Sequence, residues 1–117
     1  MNLLIIIIVI FIALIHVYFM YLKMVLWTTK KGIKTFNLKT YEFAMSTIVL
    51  AANQGLYNGF LAAGILFSLY DKNTKFLLFF LICVVIAGLY GSYSTKNRRI
   101  IIIQSLPAFI AILLLLL

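Results

Sequence analysis

Four long apolar stretches, separated by short polar segments, dominate the pattern of this chain. They cover residues 3–26, 43–70, 76–93 and 100–117, which are 24, 28, 18 and 18 residues long. A helix rises about 1.5 Å per residue, so 18 residues extend about 27 Å, close to the roughly 30 Å hydrocarbon core of a bilayer. The pattern predicts an all-α fold, an integral membrane four-helix bundle that forms a single transmembrane domain over residues 1–117.

The composition supports this prediction. Hydrophobic residues make up 66% of the chain and charged residues 10%, which excludes an ordinary soluble domain. The first stretch has no preceding basic segment and no small-residue cleavage site, so we expect a retained helix rather than a signal peptide. One Cys and one His provide neither a disulfide nor a metal-ligand set, and we expect no metal and no cofactor. Cys83 is expected to pack as a small buried apolar group.

The ten Lys and Arg residues are distributed unevenly among the three connections between the stretches. Eight lie in or beside the first and third connections, and two lie in the second. The positive-inside rule therefore predicts a multi-pass protein of the cell membrane with both termini outside the cytoplasm. Basic groups beside membrane ends favour the lipid bilayer and its anionic headgroups as partners, rather than nucleic acid. Lys23 is expected to extend to the membrane interface. The larger group is Lys23, Lys30, Lys31, Lys34, Lys39, Lys96, Arg98 and Arg99, and the smaller is Lys72 and Lys75.

The second stretch separates into three faces when its residues are plotted at 100° per residue. One face is a ridge of small residues that recur every four positions, a pattern that lets helix backbones approach closely. We expect this ridge to pack within the chain, with a homodimer interface as the alternative. A second face is bulky and is expected to contact lipid, and a third is polar. The ridge is Thr47, Ala51, Gly55, Gly59 and Ala63; the bulky face is Val49, Leu56, Phe60 and Phe67; the polar face is Asn53, Gln54, Tyr57 and Asn58.

Side-chain amides at membrane depth need partners, because lipid offers no hydrogen bonds. In one interpretation the amides bond between helices and fix their packing. In the other they line a site for a solute, to which His16 of the first stretch and Gln104 of the fourth would add polar groups. The candidate ligand-binding residues are therefore Asn53, Gln54, Asn58, His16, Tyr57 and Gln104.

Catalysis is poorly supported by this sequence. Glu42 and Asp71 are the only acidic residues and lie at opposite ends of a predicted helix, so no carboxylate pair is available for acid–base chemistry. A nucleophile built from Cys83 and His16 would lack an orienting acid. His16 is a candidate proton carrier, although a single membrane histidine is more often neutral and bonded to a neighbour. We expect no enzymatic activity.

Several segments along the chain carry a family resemblance. They are His16-Val17-Tyr18, Leu22-Lys23-Met24, Trp27-Thr28-Thr29, the long block from Leu50 to Gly64, Ala87-Gly88-Leu89-Tyr90-Gly91 and Gln104-Ser105-Leu106-Pro107-Ala108. Through them the chain resembles the bacterial domain-of-unknown-function family 1304, small four-helix integral membrane proteins. The resemblance implies membrane location and helix number, and no particular activity. In the family pattern acidic residues often occupy the positions held here by Ile15 and Lys23.

Two functions remain open from the sequence. The first is a small membrane transporter or binding protein for a polar or amphipathic solute, which would need an oligomer to form a wide pathway. The second is a structural or accessory protein whose amides fix helix packing and whose basic loops bind lipid headgroups or a partner. A polar cavity beside the second helix would favour the first function, and a dry, fully bonded core the second.

Overall fold

The structure, a computed structural model, describes residues 1–117, and the chain folds into helices without strands. The helices are α1 Leu3–Met24, α2 Lys30–Thr35, α3 Tyr41–Ser46, α4 Ile48–Tyr70, α5 Thr74–Thr95 and α6 Leu106–Leu116, with a π-helical turn Ile101–Ser105 directly before α6. Three of them, α1, α4 and α5, are long and apolar enough to cross a membrane, and Ile101–Leu116 is a shorter apolar helix. The all-α prediction is confirmed, and the helix lengths indicate a membrane protein.

The long helices contact one another in a closed order. α1 packs on α4 and α6, and α5 packs on the same two helices, with the most extensive contact between α1 and α4. The main core lies between them and includes the fully buried residues Val9, Ile65 and Leu81. Cys83 was expected inside this core but is half-buried, because it lies about 200° around α5 from Leu81 at 100° per residue.

Only part of the predicted ridge of small residues packs on α1. Ala51 and Gly55 are buried there, whereas Gly59 is half-buried and Ala63 is exposed. A strict repeat of four advances about 40° around the helix at each step, so the ridge drifts off the contact. Between residues 51 and 65 the buried positions instead follow alternating steps of four and three. They are Ala51, Gly55, Asn58, Ala62 and Ile65, while the predicted bulky face Val49, Leu56, Phe60 and Phe67 is exposed.

The second apolar stretch does not form one continuous helix, as the pattern predicted, but breaks at Thr47. The Thr47 hydroxyl donates to the carbonyl of Phe43 at 2.8 Å and accepts a 3.0 Å hydrogen bond from Trp27 Nε1. The side chain of Trp27, twenty residues away, thus stabilises Thr47 at the break in the helix. Upstream of it, Thr40 caps the short helix α3 by accepting from the Phe43 backbone N–H at 3.0 Å.

The first and third connections are joined at one end of the molecule. Asn37 Nδ2 donates to the carbonyls of Thr95 and Lys96 at 3.0 and 3.2 Å, and Asn97 Nδ2 donates to the carbonyl of Thr35 at 2.7 Å. Beneath them Phe36 packs with Phe19, Leu22 and Ile100 in a second core cluster. We call this end, which carries eight of the ten Lys and Arg side chains, the basic end.

The π-helical turn brings two consecutive polar side chains into the interior. Gln104 is 6% exposed and Ser105 is 4% exposed. The Ser105 hydroxyl donates to the carbonyl of Val85 at 2.9 Å, and it stands where a side chain at Gly88 would be. Pro107 follows two residues later and, having no N–H, cannot restore the regular α-helical hydrogen bond to the turn.

Candidate functional site

A cavity of about 850 Å³ opens between α4 and α5 at the basic end. α4 contributes its face from 47 to 61, and α5 contributes its face from 87 to 95. Lys23 of α1 and Gln104 of the π-helical turn form part of the back wall, and residues 36–39 of the first connection contribute to the end of the cavity. About half of the lining residues are hydrophobic. The volume lies within the range of about 300–1,000 Å³ that is typical of small-molecule sites.

Lys23 lines this cavity and is half-buried. Its Nζ donates a 2.9 Å hydrogen bond to Asn58 Oδ1, and it lies 5.4 Å from the centre of the Phe36 ring. The cavity has no carboxylate in its lining. The ammonium group is therefore held by a neutral amide and an aromatic face, and no negative charge of the chain compensates it.

Two further lysines line the same cavity near its end. Lys39 comes from the first connection and Lys96 from the third, and both are exposed. The hydrogen bonds from Asn37 to the carbonyls of Thr95 and Lys96 fix these two connections side by side. Three cationic side chains from three separate parts of the chain thus converge on one cavity.

Behind the cavity wall, Gln104 bonds to a fully buried histidine. His16 Nδ1 lies 2.8 Å from the carbonyl of Ile12, and His16 Nε2 lies 2.9 Å from Gln104 Nε2. A carbonyl only accepts, so Nδ1 carries the proton, and the neutral Nε2 accepts from the Gln104 amide. The Gln104 side chain makes no other hydrogen bond within the chain, and Gln104 lines the cavity whereas His16 does not.

The comparisons with known proteins place the chain in a family. The family described as "Protein of unknown function (DUF1304)" matches residues 10–116. The chain belongs to this family. It is also 31% identical over 116 residues to "Uncharacterized protein YpaA" of Lactococcus lactis subsp. lactis (strain IL1403), a match that covers 97% of each chain. No solved structure matches it. The cavity of this family member lies wholly within the matched residues.

The structure brings together four of the six residues that the sequence singled out. Gln54, Tyr57, Asn58 and Gln104 all line the cavity. His16 lies one hydrogen bond behind it. Asn53 is exposed on α4 outside the cavity, because it lies about 200° around the helix from Ala51, which faces α1.

Sequence reasoning missed the lysines of the cavity. Lys23 was expected to extend to the membrane interface, whereas the structure shows that it lines the cavity and that its Nζ donates to Asn58. A signal was present in the spacing, because His16, Phe19 and Lys23 recur at helical intervals of three and four on one face of α1. Lys39 and Lys96 had no comparable signal, because the fold of two separate connections brings them to the cavity.

Proposed function

We propose that this protein is a membrane-embedded binding protein or transporter for a small polar or amphipathic solute. In this proposal all four apolar segments cross the cell membrane as a bundle, with the basic end in the cytoplasm and both termini outside it. The long dimension of 47 Å supports it, since a bilayer with its headgroups is about 40–45 Å thick. The uneven charge of the two ends supports the orientation.

The observation that carries the proposal is the cavity and its free polar groups. Gln54 and Tyr57 line it, and neither side chain makes a hydrogen bond within the chain. At membrane depth such groups are stable only beside water or a partner, because lipid cannot bond them. A solute that enters the cavity would meet Gln54, Tyr57 and Gln104 as hydrogen-bonding groups.

A ligand screen by thermal shift tests the proposal. The purified protein in a neutral detergent would be melted with polar and amphipathic compounds, together with the double variant Gln54→Leu/Asn58→Leu. Asn53→Leu is the matched control, since it also replaces an amide of α4 but lies outside the cavity. We expect a compound that raises the melting temperature of the wild type and of Asn53→Leu, but not of the double variant. An equal shift in all three proteins, or no shift with any compound, would contradict the proposal.

A structural or accessory role is the second candidate, and two hydrogen bonds favour it. Lys23 to Asn58 and Gln104 to His16 both join different helices. No buried side-chain N or O atom lacks a partner. In this role the basic end binds anionic lipid headgroups or a protein, and a second copy of the chain would supply a partner for the exposed Asn53. It predicts that Gln54→Leu/Asn58→Leu lowers stability while no compound stabilises the wild type.

A further inference from the structure

We propose that the cavity binds an anionic amphiphile, whose phosphate or carboxylate head is held by Lys23 with Lys39 and Lys96. This inference rests on the proposed function, because it names the class of solute that the same cavity takes. The shared chemistry is an acidic head joined to an apolar chain. A membrane lipid and a free amphiphilic acid both fit that description.

The positive charge of the cavity lining favours a negatively charged head on the ligand. Three lysines and no carboxylate face the cavity. An ammonium group has three N–H donors, and the Lys23 side chain uses one of them on Asn58. Burying a charge beside neutral groups alone is unfavourable, and an anion bound to the ammonium group would offset part of that cost. Lys23 is therefore the group that a buried anion would stabilise most.

The positions of the three lysines determine the orientation of the ligand, with its anionic head towards the basic end. Lys39 and Lys96 are exposed at the basic end, and Lys23 is half-buried farther in. An anion between them would lie near the headgroup depth of a bilayer if the basic end is cytoplasmic. Anions at this depth are also favoured by the remaining positive charge of the basic end.

The apolar part of the lining receives the chain of the ligand. Leu61 of α4 and Ala87 of α5 line the cavity farthest from the basic end, and Leu50 lines it nearer that end. Tyr57 and Tyr90, one from each helix, also line it and are 55% and 68% exposed. The gap between α4 and α5 is therefore accessible from the side, where the bilayer would be. A molecule with an apolar chain can enter from lipid by this route, whereas a purely polar anion does not partition into lipid and would not enter from that side.

The chain contains its own probe for this site. Trp27 is the single tryptophan and lines the cavity, so its fluorescence reports occupancy directly. The full chain in maltoside detergent would be titrated with dodecyl phosphate and with 1-dodecylglycerol, which has the same chain and no charge. Inorganic phosphate tests a free anion. Nanodiscs of phosphatidylglycerol and of phosphatidylcholine, with the same acyl chains, test a lipid as the source.

We expect dodecyl phosphate to bind saturably and about tenfold or more tightly than 1-dodecylglycerol, the difference that one charge-assisted hydrogen bond produces. Lys23→Gln should remove about that factor from dodecyl phosphate and leave 1-dodecylglycerol unchanged. Lys39→Gln/Lys96→Gln should weaken it as well, and more at low salt than at high salt, because these groups are exposed. Lys34→Gln is the matched control, an exposed lysine of the basic end outside the cavity.

The outcomes distinguish a failure of the anionic head from a failure of the proposed function. Equal binding of the charged and neutral amphiphiles, unchanged in Lys23→Gln, would overturn the anionic head and leave the proposed function standing. Binding of neither amphiphile would overturn the anionic amphiphile as the ligand, and the thermal-shift screen with other solutes would then decide the proposed function by itself. A selective signal in phosphatidylglycerol nanodiscs supports the anionic head with a lipid as its source, and binding of dodecyl phosphate without that signal supports it with a free amphiphilic acid. Binding of inorganic phosphate as tight as that of dodecyl phosphate would overturn the role of the apolar chain. Should Lys23→Gln fail to fold, Lys39→Gln/Lys96→Gln provides the same test with two exposed residues.

Discussion

Lys23 Nζ on α1 donates to Asn58 Oδ1 on α4 at 2.9 Å. The bond lies beside a close approach of the two helices, where a side chain at Gly55 would meet Met24, Lys23 and Met20. Small residues at the contact let α1 and α4 approach closely. Helix packing and the charge of the cavity therefore depend on the same contact, and a variant of one is expected to affect the other.

The amides of α4 should differ in their contribution to stability. Asn58→Ala removes the oxygen that accepts from Lys23, so we expect a loss of about 0.6 kcal/mol or more, the average for an interhelical bond in a membrane protein. Asn53→Ala, the same substitution at an exposed position, should change stability by less than about 0.5 kcal/mol. Reversible unfolding in mixed detergent micelles measures both. A larger loss for Asn53→Ala would mean that another copy or partner covers that face.

The loss of stability on replacing a glycine with alanine should depend on the atoms that surround that glycine. An added Cβ at Gly55 would lie 2.8 Å from Met24 Cγ and 3.1 Å from the carbonyl oxygen of Met20, which cannot easily move. At Gly59 it would meet Met20 Sδ, near the end of a flexible side chain, and at Gly91 only Ile100 Cγ2 at 3.5 Å. We expect the melting temperature to fall most in Gly55→Ala, less in Gly59→Ala and least in Gly91→Ala.

Leucine substitutions extend this prediction to the opposite face of α4. Gly55→Leu should severely damage the fold, because a large side chain separates α1 from α4. Phe60→Leu should be tolerated, since Phe60 is 57% exposed. Melting curves with equal tolerance at both positions would mean that the packing face of α4 is assigned incorrectly.

The bond between Gln104 and His16 should be important for stability. Gln104→Met keeps the length of the side chain but leaves His16 Nε2 buried without a donor, which costs about 1–3 kcal/mol. Gln54→Met makes the same change at an exposed position without a hydrogen bond and should be nearly neutral. Unfolding free energies that are alike for the two variants would show that the buried bond contributes little.

The proposed topology predicts which loops are accessible from outside the cell. In a Cys83→Ala background, cysteine would be placed at Lys31 of the basic end or at Lys75 of the opposite end, both exposed. Lys75 is preferred to Asn73, whose side chain caps α5 by accepting from the Phe76 N–H at 3.1 Å. An impermeant thiol reagent on intact cells should label position 75 and not position 31. The reverse pattern would place the basic end outside.

The sequence predicts much of α4, because its side chains repeat with a helical period. The exposed face at Val49 and Phe60 and the buried positions Ala51 and Gly55 follow from local spacing alone. The break at Thr47 does not, since it depends on a hydrogen bond from Trp27, twenty residues away. The helix propensities of residues 43–70 do not reveal that contact, because Trp27 lies outside this segment.

The candidate site could be predicted only in part for the same reason. The polar face of α4 identified Gln54, Tyr57 and Asn58, but whether Lys23 reaches Asn58 depends on how α1 and α4 are aligned. The inward direction of Gln104 depends on the π-helical turn, which packs Ser105 against Gly88. The bond from Lys23 to Asn58 and the burial of Gln104 both result from tertiary packing, which overrides local preferences.

The central claim is that an amphiphile occupies the cavity between α4 and α5, and quenching of Trp27 tests it most directly. A bromine-labelled dodecanoate would be titrated into the wild type, into Ala87→Phe, which fills the cavity from α5, and into Ala63→Phe, which places the same ring on an exposed part of α4 outside it. We predict saturable quenching in the wild type and in Ala63→Phe, and its loss in Ala87→Phe. Equal quenching in all three proteins would contradict the account.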